Sequence, residues 1–313
     1  MEFNVNKRRK ALTFPLKGKL QAQSLTTFVE GVHFDLLYAT PREVAYKAAV
    51  TTLSELAAQG ARPEHLHVQC YLKQDMNEHL IMELESGVQE IAKRFDLKFD
   101  FQVSGLSPTA ILLQTLATGV FKSPIKTPAP KPNDLIAVTG PLGGAAAGLN
   151  CLRYLGRTAL TDQEALVLAY LKPFARIDEA RVLYEKKLAK HVVDLQDGLA
   201  AELNRVAAEC NVGAFVEEIA VPISPHAVRG AQLLGITPER WSLYGSEDFE
   251  LLFFCSPPQF AAAERTLNKM GCHAKVIGKV KPAAFGVKMK DTTGLSNTLP
   301  PRQWHPLVRR RRA

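Results

Sequence analysis

The chain has no apolar run approaching the roughly 20 residues that a membrane span requires, and it is poor in cysteine. Five are scattered at Cys70, Cys151, Cys210, Cys255 and Cys272, odd in number and with no CxxC pair. That spacing speaks against a zinc site and against a disulfide framework, so the expected setting is the reducing cytoplasm. The basic N-terminal stretch MEFNVNKRRKALTF has no long apolar segment behind it and does not read as a secretory signal. No serine stands in a nucleophile elbow, which removes the acyl-transfer hydrolases. Neither a GxGxxG turn nor the Lys-Ser/Thr of a P-loop is present.

What is there suits a two-domain α/β protein. The 313 residues are 46% hydrophobic and 22% charged, enough for one large core or two medium ones. The segment KSPIKTPAPKPND (122–134) has four prolines in 13 residues, which sustain neither a helix nor a central strand. It sets the expected boundary between an N-terminal domain at 1–128 and a C-terminal α/β domain at 129–313. Before it, residues 20–34 read as strand. TPREVAYKAAVTTLSELAAQGA reads as a helix capped by Thr40, with Pro41 in its first turn and Val44, Ala48, Thr51, Thr52 and Leu56 along one face. Two βαββ-like runs are expected in this half. After it, strands alternate with helices, including helices over 162–171, 176–189 and 225–234.

The formal net charge is +8, with NKRRK at 6–10 and the arginine run Arg309–Arg312 near the ends. Solubilising tails and a polyanion-binding surface both account for such runs. No aromatics interleave these arginines, so nucleic-acid binding is the minor reading and a single-strand stacking groove has no support here.

Four stretches hold candidate chemistry. VTGPLGGAAAGL places Gly140, Gly143 and Gly144 between a strand and a helix, where free N–H groups favour an anion or simply make a turn. VVDLQDGLAAEL puts Asp194 at a strand end and Asp197 before a helix, as cap or as ligand to a hard cation. YGSEDFELLF sets Glu247 and Asp248 at a similar junction, and two such junctions suggest one shared site. FVEGVHF offers Glu30 and His33, and Glu55 lies in the first helix.

Taken together, VEGVHF, KAAVTTLSELAAQGARP, VTGPLGGAAAGL, LKPFARI, VDLQDGLAAEL and GSEDFELLF resemble the bacterial thiamine-monophosphate kinases in order and spacing, over about residues 16–280. These belong with aminoimidazole ribonucleotide synthetase and selenophosphate synthetase. The resemblance implies a homodimer whose N-terminal domains pair into a β-barrel, with ATP and several Mg²⁺ near the domain junction. The implied reaction moves the γ-phosphoryl group of ATP to thiamine monophosphate. It also implies acceptor contacts along Glu30–His33 and at Glu247 and Asp248, a nucleotide loop at Gly140–Gly144, and metal ligands at Asp194, Asp197 and Glu55. Asp197 is then the foremost catalytic candidate.

Departures from the family pattern fall on its acids. KRRKA (Lys7–Ala11) stands where GDDAA is expected. Thr26, Thr52 and Gly144 replace Asp, Asn and Asp, Glu55 replaces Asp, Gln196 replaces Ser, and the aspartate expected near Gly105 and Leu106 is missing. Phosphoryl transfer needs Mg²⁺ to neutralise the triphosphate. Loss of about four carboxylates therefore predicts an impaired or inactive homologue that keeps a phosphate-ligand pocket. Arg8 and Arg9 are candidates to meet phosphate directly. The alternative is a working kinase with a reduced metal set.

Overall fold

The structure, a computed structural model, describes residues 12–16, 19–74, 76–121 and 128–301. Lys7–Ala11, with Arg8 and Arg9, and the run Arg309–Arg312 lie outside the described residues.

The first half runs β1 (Leu12–Leu16), β2 (Lys19–Val29), α1 (Pro41–Ala58), β3 (Arg62–Leu72), α2 (Glu78–Arg94), β4 (Lys98–Leu106) and β5 (Leu112–Val120). These strands form one sheet in the order β1-β2-β5-β3-β4, so the half is a single βαβ-rich unit rather than two βαββ runs. β3 and β4 are parallel because α2 carries the chain across between them. The strand expected to reach Phe34 stops at Val29, since the chain turns at Gly31 with φ +77°.

Thr40 does cap α1, in a capping box with Glu43. The expected single buried face is corrected: fifteen of the eighteen residues are buried. α1 packs on β2, β3 and β5 and also touches α4, α5 and β7 of the second half. An element enclosed by two layers has no face left for solvent.

The second half contains β6 (Leu135–Val138), α3 (Gly144–Leu155), α4 (Glu164–Leu171), α5 (Ile177–Glu185), β7 (His191–Asp194) and α6 (Leu199–Cys210). It continues with β8 (Val212–Glu217), α7 (Pro225–Leu234), α8 (Glu239–Tyr244), β9 (Leu251–Cys255), α9 (Pro257–Asn268), β10 (Lys275–Pro282), β11 (Val287–Lys290) and β12 (Ser296–Thr298). The strands form a second sheet, ordered β12-β11-β8-β10-β6-β9-β7. Leu199, Leu203 and Val206 of α6 share one core with Ala214, Val216 and Val280. On the other face Ala137, Val192 and Phe253 join the core that holds α1, α3, α4 and α5. The protein is thus mixed α/β with a large core spanning both halves. Among the described residues, no helix is long and apolar enough to cross a membrane.

Candidate functional site

The two acidic junctions are one structure. β7 and β9 run antiparallel with Asp194 opposite Leu251. Beyond them the Leu195 N–H donates to the Glu250 carbonyl, the Glu247 N–H to the Gln196 carbonyl and the Phe249 N–H to the Leu195 carbonyl. A Cβ on Gly198 would lie 2.6 Å from the Gly245 carbonyl oxygen. Glycine there is what lets DLQDGL and GSEDFEL approach this closely. Glu247 and Phe249 both have positive φ, at 69° and 52°, a conformation that costs non-glycine residues of order 1–3 kcal/mol each. This contorted segment sends the acidic side chains of Glu247, Asp248 and Glu250 to three different partners.

Glu247 accepts an ion pair from Lys47 Nζ at 2.9 Å, with both side chains almost fully buried (3% and 9% exposed). The same ammonium lies 3.2 Å above the Tyr170 ring, and the Tyr170 hydroxyl donates to the His33 carbonyl at 3.3 Å. Burial pulls the Lys47 ammonium down to about 8, and Glu247 partly opposes that. Tyr170 thereby ties the EGVHF turn to the second half of the chain. A second junction contact stands nearby, where Arg157 makes two hydrogen bonds to Glu43 (2.6 and 2.7 Å) and donates to the Tyr38 carbonyl.

Asp248 accepts from the Gly143 N–H at 2.7 Å and the Ala145 N–H at 3.0 Å. The expectation of free N–H groups at the start of α3 is corrected here: the anion that occupies them is the protein's own carboxylate. Burial raises the Asp248 carboxyl to about 7, against the lowering effect of these N–H groups. Glu250 takes Arg176 through both oxygens at 2.8 Å and accepts the Thr139 hydroxyl at 2.7 Å. Gly140 makes room for it, because a Cβ there would sit 2.5 Å from that carboxylate. Gly144 faces Ser224, whose Oγ a Cβ would meet at 2.9 Å.

Asp194 is buried at the end of β7, while Asp197 is half-exposed in the turn before α6. Asp197 does not cap that helix, whose N-cap is Gly198 with no side-chain bond. Glu30 is held by Lys73 at 2.9 Å and by the Ile111 N–H at 2.9 Å. His33 accepts the Val29 N–H on Nδ1 at 3.1 Å. Glu55 accepts the Ser24 hydroxyl at 2.7 Å. Thr52, in the place of the family's Asn, meets the Thr115 hydroxyl in a very short contact, and Thr115 is opposite Thr26 on the neighbouring strand.

A hard divalent cation needs several oxygen ligands, including carboxylates left free to point at it. Among the described residues, no group of three or more His, Cys, Asp or Glu side chains can hold a metal ion. Glu247, Asp248 and Glu250 each meet an internal partner.

Sequence reasoning missed Lys47, Tyr170, Arg157 and Arg176. Lys47 did leave a signal, since it falls three residues after Val44 and one before Ala48, on the stripe read as apolar. A lysine there needs a buried partner.

A core shared by two sheets, with an acidic strand-turn-helix junction at the edge of the second, defines a mixed α/β fold of two sheet-and-helix halves. The chain belongs to the AIR synthase related family: residues 9–105 match its N-terminal domain and residues 131–290 its C-terminal domain. Within that class its curated relatives are thiamine-monophosphate kinases. It is 31% identical to that of Escherichia coli (strain K12), over 86% of this chain and 81% of the relative. It is 30% identical to that of Bacillus subtilis, over 84% and 81%. Among solved structures, thiamine monophosphate kinase from Aquifex aeolicus superposes with TM-score 0.80 at 23% identity, covering 93% and 94% of the two chains. AaThiL complexed with AMPPCP and TMP gives TM-score 0.81 at 23% identity, covering 94% and 90%. At that identity the structural likeness speaks for the fold. The family and the kinase-like character rest on the sequence matches.

Proposed function

We propose that this chain is a thiamine-monophosphate kinase-like protein that binds a nucleotide or thiamine phosphate but has lost efficient phosphoryl transfer. The observation that carries this reading is the internal neutralisation of Glu247, Asp248 and Glu250. It leaves the half-exposed Asp197 at the junction, with Arg8 and Arg9 where the resemblance places two aspartates. Support for the ligand class comes from AaThiL, complexed with AMPPCP and TMP. In this reading residues 1–128 are the dimerisation half and 129–313 the ligand-holding half. The chain works as a homodimer through the sheet face that carries His65, His67, Gln114, Leu116 and Thr118, all half-exposed, and the exposed Gln69. Arg8 and Arg9 take the phosphate oxygens that metal ions would otherwise neutralise.

A second reading, a working ATP- and Mg²⁺-dependent kinase, is favoured by one observation: Asp197 makes no hydrogen bond or ion pair to any described residue and stands close in sequence to Asp194. A single-turnover assay separates the two. Protein in excess over ATP and thiamine monophosphate, with saturating Mg²⁺, is expected to give no thiamine diphosphate over hours while calorimetry still detects ligand binding. Product within minutes, abolished by Asp197→Asn, would establish the kinase instead. In the same calorimetry, Arg8→Ala with Arg9→Ala is expected to weaken the phosphate ligand roughly tenfold or more, as loss of charge-assisted bonds does. Unchanged affinity would remove these arginines from the site.

A further inference from the structure

The positive charge of this protein has an address. Residues 269–313 hold eleven of the 39 lysines and arginines and one of the 31 acids, so the preceding 268 residues carry a net charge of −2. Much of the described part of that segment is β10, β11 and the turn between them, at the end of the second sheet opposite the acidic junction on β7 and β9.

Strand register collects the lysines on one face. Lys279 of β10 and Lys288 of β11 both stand opposite Phe215 of β8, flanking its ring from either side. Lys281 lies two residues beyond Lys279, and Lys290 two beyond Lys288, so both share that face. The alternating residues Val280, Val287 and Met289 turn the other way, into the core beneath α6, and Ile277 joins them at the register shift between Val276 and Gly278. Phe285, from the turn before β11, meets Phe215 edge to face at 5.9 Å. The Lys281 ammonium lies 5.7 Å from both rings and that of Lys288 4.8 Å from Phe285.

The four lysines have no carboxylate partner among the described residues. Nearby acids are few. Glu217 is opposite Lys290 in register, Glu218 accepts the Thr292 N–H, and Asp291 is wrapped by Thr293, Leu295 and Asn297. Both phenylalanines remain half-exposed. Unpaired like charges held this close repel one another, and an anionic partner relieves that repulsion.

We propose that this lysine–phenylalanine face binds a single-stranded polynucleotide. Phosphates at regular spacing satisfy the lysines, and unpaired bases stack on the Phe215 and Phe285 rings. A duplex keeps its bases stacked internally and offers the rings nothing. The rings lie beneath lysines rather than projecting beyond them, which suits a strand better than insertion into a bilayer. The aromatic interleaving missing around the arginine runs is thus supplied by the fold, with Phe215 brought to the lysines from about 60 residues upstream.

The test is fluorescence anisotropy of a labelled oligo(dT) or oligo(U) of about 20 nucleotides, longer than the site size of one binding fold, with the full chain. Binding is expected with a log–log salt slope of roughly −3, at about −0.7 per neutralised phosphate over four lysines. Alanine at Lys279, Lys281, Lys288 and Lys290 together is expected to flatten that slope and weaken binding more than tenfold. Phe215→Leu with Phe285→Leu keeps the apolar packing. It is expected to leave the slope intact and weaken binding roughly five- to tenfold, as loss of base stacking does. Thermal melts confirm that each variant is folded. The proposal is overturned if the leucine variant binds as wild type, or if duplex of the same length binds as tightly as single strand. It is equally overturned if phosphatidylserine vesicles are bound and the oligonucleotides are not, or if serine at Arg309–Arg312 alone abolishes binding.

Discussion

Replacing Lys47 with methionine is expected to lower the unfolding free energy by about 3–5 kcal/mol, the usual penalty for leaving one member of a buried ion pair alone. Glu247 is 7% exposed and has no other cationic partner among the described residues. Its charge would be stranded at the junction of the two halves, and the Tyr170 ring would lose the ammonium above it. The double variant Lys47→Met, Glu247→Gln removes both charges and is expected to recover most of the loss. Urea unfolding of wild type and the three variants gives the coupling energy directly. Losses of the two single variants that simply add in the double variant would show that the pair contributes nothing beyond packing.

The same pair sets a pH dependence. Burial lowers the Lys47 ammonium from 10.5 to about 8, so between those values the unfolded chain holds more of this proton than the folded one. Wild-type stability relative to the double variant should therefore rise with pH from about 8 to 10.5, by at most about 1.4 kcal/mol per pH unit. Below pH 8 the full cost of keeping the buried ammonium charged is present.

The second large effect is expected at Glu250. Arg176→Ala removes two 2.8 Å bonds from a carboxylate that is 8% exposed, leaving it the Thr139 hydroxyl. A loss of about 3–5 kcal/mol is expected on the same grounds. Gly140→Ala should injure the same contact from the other side, since its new Cβ would lie 2.5 Å from the carboxylate and displace it. Because both changes act on one bond, the double variant should cost little more than Arg176→Ala alone. Additive losses would mean that Gly140 serves something other than Glu250. LKPFARI thus has a purpose that the sequence left blank: its Arg176 anchors the strained segment from which Glu247 and Asp248 project.

The sheet periodicities, the proline-rich connection and the family motifs were legible because each rests on neighbours in sequence. The cap at Thr40 and the glycines at positions 140, 143 and 144 are local matters of backbone geometry. The basic residues at Arg8 and Arg9, where the resemblance leads one to expect aspartates, are likewise plain in the sequence.

Only the tertiary structure decided what the surviving acids do. Glu247 and Asp248 looked like a pair because they are adjacent, yet they and Glu250 take their partners Lys47, Gly143 and Arg176 from 74 to 200 residues away. The enclosure of α1 on all sides followed from a second layer that no helical periodicity announces. The lysine–phenylalanine face likewise required three strands to pair in one register. In each case the cause is the same: charge compensation and burial are settled between elements distant in the chain, while sequence patterns report the conformation of each element by itself.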